Sequence, residues 1–154
     1  MNYPFPMDAI QNQTDPSTLD SRPFKELIQT IAQVLSGNDG VLFAYLYGSS
    51  ASGEKGRDVD IGIFSEESGD PHRLSSDLKV ALSTETGLSP DVFDIRILNG
   101  LNEQGDLFAL LYLKNVLSSG RILVDRDPDL RSDFLERYGS RFRECEGLIQ
   151  EVLA

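Results

Sequence analysis

The chain has 154 residues, a formal net charge of −11 and hydrophobic residues at 40% of its positions. That length suits one domain with a substantial core, and that composition argues against wholesale disorder. The negative charge argues against direct nucleic-acid binding and against an anionic membrane surface, because both need exposed Lys and Arg. No apolar run approaches the ~20 residues that span a bilayer, and the N-terminus lacks a secretory-signal pattern. The sequence therefore predicts a cytoplasmic, single-domain protein.

The chain contains one cysteine and one histidine, which restricts the kinds of disulfide, metal site and catalytic site that it can form. Cys145 alone forms no intrachain disulfide and no thiolate metal site. His72 follows Pro71 in a polar stretch, and we interpret it as a solvated residue at a helix start rather than a catalytic base. A catalytic site in this chain is therefore expected to depend on other side chains.

The predicted elements divide the chain into a flexible N-terminal arm, residues 1–21, and one folded domain, residues 22–154, with a C-terminal helix. Their order, α-β-β-α-β-α-β-α, predicts an α/β (α+β) fold: a small mixed sheet of about four strands with helices packed on it. The elements are a helix from Pro23 to Gly37, strands Val41–Tyr47 and Val59–Phe64, a helix Pro71–Thr86, a strand Asp91–Leu98, an apolar helix ending at Gly120, a strand Arg121–Val124, and a helix with Asp127 as N-cap.

Two of these elements carry specific expectations. The third strand, "DVFDIRIL", alternates, which places Phe93, Ile95 and Ile97 on one face and Val92, Asp94, Arg96 and Leu98 on the other. The helix "DLFALLYLKNVLSSG" is apolar almost all round. We therefore expect it to be buried between the sheet and another layer.

The stretch "YLYGSSASGEKGRDVDIGIF" places a loop of small residues between two strands. Gly48, Ser49 and Ser50 follow the first strand directly, and small residues let backbone amides approach a ligand closely. If "SSASGE" begins a short helix, its free N–H groups also favour an anion. These three residues are the predicted phosphate-binding residues, although a Gly-Ser pair alone is more often a plain turn.

Three aspartates complete the predicted site. Asp58 and Asp60 are separated by one residue, so both side chains project from the same face of the second strand. Adjacent carboxylates repel each other unless a cation neutralises them, and hard oxygen ligands suit Mg²⁺. Asp94 lies in an otherwise apolar strand, where an unpaired charge is costly. If the strands are neighbours with matching faces, Asp58, Asp60 and Asp94 are both the metal ligands and the catalytic residues of a phosphoryl- or nucleotidyl-transfer site.

"YGSSASGEKGRDVDIGIF" followed by "VFDIRILN" resembles the minimal nucleotidyltransferase (MNT) group of the DNA polymerase β-type nucleotidyltransferase superfamily. The resemblance implies that Gly48 and Ser49 bind triphosphate, that Asp58 and Asp60 bind metals, and that Asp94 completes the triad. The sequence departs from the common family pattern in the loop: eight residues, 50–57, separate Ser49 from Asp58, two fewer than is usual. Arg57 stands where members often have Ser, and it either contacts a phosphate or is merely solvated. Arg96, on the face of Asp94, either balances the acids or contacts a phosphate, or it is a solvated arginine on a surface strand.

The resemblance implies a particular function. Stand-alone MNT proteins are antitoxins that transfer AMP from ATP to a tyrosine of a HEPN-domain ribonuclease toxin, so a Mg²⁺-dependent adenylyltransferase in a hetero-oligomer with such a toxin is expected. Two alternatives stay open. A non-catalytic antitoxin would inhibit the toxin by stoichiometric binding, and a small-molecule nucleotidyltransferase would modify, for example, an antibiotic hydroxyl.

Overall fold

The structure, a computed structural model, describes residues 22–48, 58–66, 68–101 and 107–153. In chain order its elements are α1 (Arg22–Ser36), β1 (Val41–Tyr47), β2 (Val59–Ser65), α2 (Pro71–Thr86), a 3₁₀ turn (Pro90–Val92), β3 (Phe93–Ile97), α3 (Leu107–Ser119), β4 (Arg121–Asp125) and α4 (Pro128–Leu153). This order confirms the predicted mixed α/β fold. The predicted arm, residues 1–21, lies outside the described residues.

The four strands form one mixed sheet in the order β3-β2-β1-β4. β1 runs antiparallel to both of its neighbours, whereas β2 and β3 are parallel. A parallel pair requires a crossover connection, and α2 supplies it between β2 and β3. This connection makes the strands that carry the predicted acids direct neighbours.

Helices cover both faces of the sheet, which produces two hydrophobic clusters. The larger cluster joins the inner sides of α1 and α2 to one face of the sheet, and its members include Ile31, Leu82, Ile61 and Ile63. The smaller cluster joins α3 and α4 to the opposite face, through Leu113 and Phe134 among others. Within the described residues no helix is long and apolar enough to cross a membrane.

The ends of the helices follow from local capping. Asp70 precedes α2, and its side chain accepts a hydrogen bond from the backbone N–H of His72 at 3.0 Å. Gly87 ends the helix in a left-handed conformation with φ of 78°. Asp127 caps α4 as predicted, accepting from the Leu130 N–H at 3.1 Å. His72 is exposed in the first turn of α2, which agrees with its interpretation as a solvated residue.

The third strand is shorter than predicted. Its expected first residues, Asp91 and Val92, belong to the 3₁₀ turn, because Pro90 and the Ser89 side chain, which accepts from the Asp91 N–H, set up a turn there. The prediction that Val92 shares a face with Asp94 is therefore wrong: Val92 packs against the larger cluster. From Phe93 onward the predicted alternation holds.

α3 packs between the sheet and α4, as predicted, but it is not buried all round, although its sequence is apolar almost all round. Ala109, Leu110, Leu113 and Val116 are buried. Phe108, however, is 75% exposed, because the sheet and α4 cover only part of the helix circumference. An exposed aromatic side chain is tolerated singly on a protein surface.

Arg126, just after β4, connects elements that are far apart in the sequence. Its Nη2 donates to the carbonyl oxygen of Ser36 at 2.6 Å, at the end of α1. Its Nε donates to the carbonyl oxygen of Val41 at 3.1 Å, at the start of β1. One guanidinium thus satisfies backbone acceptors in two elements, including a carbonyl in the last turn of α1.

Candidate functional site

The predicted acids lie together at one end of the β2–β3 pair. In the parallel register Asp60 lies directly beside Asp94. Side chains at the same register position of neighbouring strands project to the same face, and Asp58 precedes β2 by one residue with the same phase as Asp60. The structure therefore brings all three predicted acidic residues to one face of the sheet.

The environment of Asp60 is unfavourable for a negative charge. Partial burial, as the largest cause, raises the pKa of the Asp60 carboxyl to about 6, and the neighbouring charges of Asp94 and Asp58 contribute to this rise. A hydrogen bond between the Asp60 and Asp94 side chains acts in the same direction. The two carboxyl groups are thus within hydrogen-bonding reach of each other, so an ionised Asp60 is repelled by the charge beside it.

Arg96 offsets part of this charge. Its Nε lies 4.0 Å from Asp94 Oδ1, and the two side chains are 61% and 48% exposed respectively. The guanidinium also lies over the ring of Tyr112, 5.5 Å from its centroid, in a cation–π arrangement. Arg96 therefore balances part of the negative charge of the acids, which is one of its sequence-based interpretations, although its side chain also remains more than half exposed to solvent.

Two tyrosines form the wall behind the acids. Tyr47, the register partner of Asp60 on β1, makes a hydrogen bond between its hydroxyl and that of Tyr112. Burial raises the pKa of both phenols above their usual range, so both stay neutral. Sequence reasoning missed this pair. The available signal was Tyr112 itself, a polar-tipped aromatic in an otherwise apolar helix.

Gly48, the first residue after β1, lies in contact with one of the predicted acidic residues. It has φ of +73°, a conformation that glycine adopts without penalty. A Cβ at this position would overlap the carboxylate oxygen of Asp60, so the backbone of Gly48 lies directly against that carboxyl group. The other predicted phosphate-binding residues, Ser49 and Ser50, lie outside the described residues, as does Arg57.

The donor set fits a hard divalent cation in its chemistry. It offers carboxylate oxygens from Asp58, Asp60 and Asp94 on one face, with mutual repulsion that a cation would relieve. Among the residues that the structure describes, no group of three or more His, Cys, Asp or Glu side chains is arranged so that it could hold a metal ion by itself. A cation at this site therefore needs further ligands, and substrate phosphates or waters are the usual ones for Mg²⁺.

Clustered carboxylates that can hold divalent cations are used by enzymes that transfer phosphoryl or nucleotidyl groups. Residues 29–129 match the family model for the polymerase beta nucleotidyltransferase domain. The chain belongs to that family. The match confirms the superfamily that the sequence motifs predicted.

Solved structures agree at the level of the fold. A chain in a crystal structure of a toxin–antitoxin with AMP-PNP is 20% identical with a TM-score of 0.54, covering 82% of this chain and 98% of that one. A chain of the toxin–antitoxin MntA-HepT is 17% identical, with a TM-score of 0.51 and coverage of 84% and 99%. A chain in the complex of tri-AMPylated Shewanella oneidensis HEPN toxin with MNT antitoxin is 18% identical, with a TM-score of 0.53 and coverage of 85% and 99%. Among curated proteins, none matches this chain.

Proposed function

We propose that the protein is an MNT-type antitoxin that transfers AMP from ATP to a tyrosine of a HEPN-domain toxin. The family supports nucleotidyl transfer in general. Structures with the same fold come from toxin–antitoxin complexes, one with AMP-PNP and one with an AMPylated HEPN toxin. Those features belong to the related complexes, and the proposal extends them to this chain.

The observation that carries the proposal is the register of β2 and β3. It sets Asp60 beside Asp94, with Asp58 on the same face and the Gly48 backbone against the Asp60 carboxyl group. A purely structural role would not require clustered carboxylates, since each raises the cost of ionising the others. Clustering of this kind is characteristic of functional sites.

Each residue has a distinct role in the proposed reaction. Asp58 and Asp60 would hold Mg²⁺ together with Asp94, and the backbone from Gly48 through Ser50 would hold the phosphates. When bound, Mg²⁺ supplies electrostatic stabilisation of the negative charge on the phosphates. Asp94 accepts the proton of the attacking tyrosine hydroxyl. The phenol oxygen then bonds to the α-phosphorus, the bond from that phosphorus to the bridging oxygen breaks, and pyrophosphate leaves with the electron pair.

The net charge also fits the proposed partner. A protein with a formal charge of −11 attracts a basic surface over long range, and an RNA-cleaving protein needs such a surface to hold phosphates. An added AMP brings negative charge to that surface. It would therefore weaken RNA binding electrostatically, in the way phosphorylation weakens binding to an anion.

The test combines the purified protein, the HEPN-domain toxin proposed as its partner, Mg²⁺ and α-labelled ATP. Transfer of label to a partner tyrosine is expected, together with its loss in Asp58→Asn and Asp60→Asn and its retention in the control Asp133→Asn, an exposed acid on α4. Inhibition of the toxin without label would replace the proposal by the non-catalytic antitoxin. Label on an added antibiotic, with none on the partner, would replace it by the small-molecule enzyme.

A further inference from the structure

The outer edge of β3, which is free of any strand among the described residues, offers a place for an acceptor protein beside the predicted catalytic acids. β3 is the outermost strand of the sheet on the side of β2. The Leu98 N–H donates to the Ile63 carbonyl of β2 at 2.7 Å. Because backbone groups of successive residues alternate between the two sides of a strand, those of Arg96 and Asp94 also face β2. The N–H and C=O groups of Ile95 and Ile97 therefore point outward, and no described strand pairs with them.

A cavity of about 540 Å³ lies along this edge. Ile95 and Ile97 form its strand side, while His72 and Ser75 in the first turns of α2 stand opposite them. The cavity is of a size that binds ligands, and its lining mixes apolar with polar groups. An extended peptide that added a strand to β3 would place alternate side chains in this cavity.

The edge leads directly to the predicted acids. Arg96 lines the cavity and also forms the ion pair with Asp94. From Ile97 to Asp94 the strand covers about 10 Å at ~3.3 Å per residue. The side chains of an added strand alternate: those on one side would lie with Ile95 and Ile97 at the cavity, and those on the other would lie with Asp94. A hydroxyl side chain opposite Asp94 would thus reach the acid that is proposed to accept its proton.

We propose that the free edge of β3 and the adjoining cavity dock an extended, basic segment of the acceptor protein, whose hydroxyl residue is thereby presented to Asp94. This inference rests on the proposed function and adds the mode of substrate binding. The basic character follows from charge. Arg96, the arginine in the cavity lining, is already paired with Asp94, whereas Glu66 lines the cavity at one end of the edge and Asp91 stands just before the other. The docked segment is expected to carry apolar residues on both sides of its hydroxyl residue and basic residues beyond them.

The probe is the blocked peptide Lys-Val-Tyr-Val-Lys at millimolar concentration, with amide hydrogen exchange read by NMR. In the free protein the Ile95 and Ile97 N–H groups are expected to exchange faster than the Arg96 N–H, which faces β2. Added peptide is expected to slow the exchange of Ile95 and Ile97 at least several-fold. Failure to slow both would overturn the proposal. If adenosine, added in place of the peptide, slows the exchange of the Ile95 and Ile97 amides, the cavity binds a nucleotide base. That result would also overturn the proposal.

Two further comparisons test the docking mode. Ser75→Phe fills the cavity and is expected to weaken peptide binding about tenfold, whereas Ser76→Phe, at an exposed neighbouring position outside the cavity, serves as the control. A second comparison uses the wild-type protein and two peptides, each N-methylated at one of two successive residues. Only alternate N–H groups of an added strand face β3, so one of these peptides is expected to lose binding and the other to keep it. Equal effects of the two methylations would exclude strand pairing, whether or not Ser75→Phe folds.

The outcomes separate this inference from the proposed function. Slowed exchange without transfer of label from ATP to the peptide or to the partner would support docking and contradict adenylyl transfer. In the opposite case, Ser75→Phe transfers AMP to the partner as the wild type does, and the peptide does not slow amide exchange at Ile95 and Ile97. That result would support the proposed function and overturn the docking site.

Discussion

Replacing Asp60 by asparagine is expected to stabilise the metal-free protein at neutral pH and to abolish AMP transfer. The carboxyl group has a pKa raised from 3.8 to about 6, chiefly by burial and then by the charges of Asp94 and Asp58. Because the folded-state pKa is the higher one, the group contributes stability when protonated. That contribution is complete below pH 3.8 and is lost as the pH rises through about 6.

The size of the effect follows from the same shift. A rise from 3.8 to about 6 corresponds to about 3 kcal/mol if the whole shift acts on folding. Solvent screens a carboxyl group that is only partly buried, so about 1 kcal/mol is the realistic expectation. For a chain of this length that is a rise of about 2–4 °C in Tm. The sign is unusual, because most substitutions destabilise.

The assay is urea unfolding of wild type and Asp60→Asn at pH 4 and pH 7.5 in EDTA. The free energy of unfolding of Asp60→Asn, relative to wild type, is expected to increase by about 1 kcal/mol between the two pH values, whereas the exposed control Asp133→Asn shows no comparable increase. Added Mg²⁺ should then stabilise the wild type more than the variant, because a cation that binds the folded state raises its stability. An Asp60→Asn protein that is less stable than wild type at pH 7.5 would refute the reasoning from charge repulsion.

Two further substitutions test the backbone around the site and the core. Gly48→Ala is expected to cost about 1–3 kcal/mol and to impair transfer, since it combines positive φ with overlap on Asp60. Gly100→Ala, where φ is +77° and nothing lies near the added Cβ, should cost less in thermal unfolding; an equal loss would contradict the role of the overlap. Arg126→Met is expected to lower the free energy of unfolding by about 2 kcal/mol through the loss of its charge-assisted hydrogen bonds to backbone carbonyl oxygens, of which those to Ser36 and Val41 are the shortest. The loss is measured in urea against the exposed control Arg121→Met. A loss no larger than the control's would show that solvent replaces those bonds.

Strong local patterns account for the parts of the fold that were predictable. The apolar runs at Val41–Tyr47 and Val59–Phe64 and the capped helix Pro71–Thr86 each agree with the structure to within a residue. The prediction for β3 was less accurate, and the exposure of part of α3 was not predicted, because both depend on neighbouring elements. A proline turn shortens β3, and the extent of the covering layer decides how much of an apolar helix is buried.

The positions of the three acidic residues were predictable only in part. Spacing alone put Asp58 and Asp60 on one face, but the position of Asp94 beside Asp60 depended on the order of the strands. Nothing in the sequence states which strands pair. The contact between the hydroxyls of Tyr47 and Tyr112 was unpredictable in the same way, since it joins residues 65 positions apart through the packing of a helix on the sheet.

The crossover through α2 also has an evolutionary consequence. The pairing of β2 with β3, and not the length of chain between them, sets the second and third acids side by side. Insertions and deletions within that connection therefore leave the carboxylates where they are. Relatives that share this chemistry are expected to vary widely in the interval from the second acid to the third, so a search pattern with a fixed interval would overlook them.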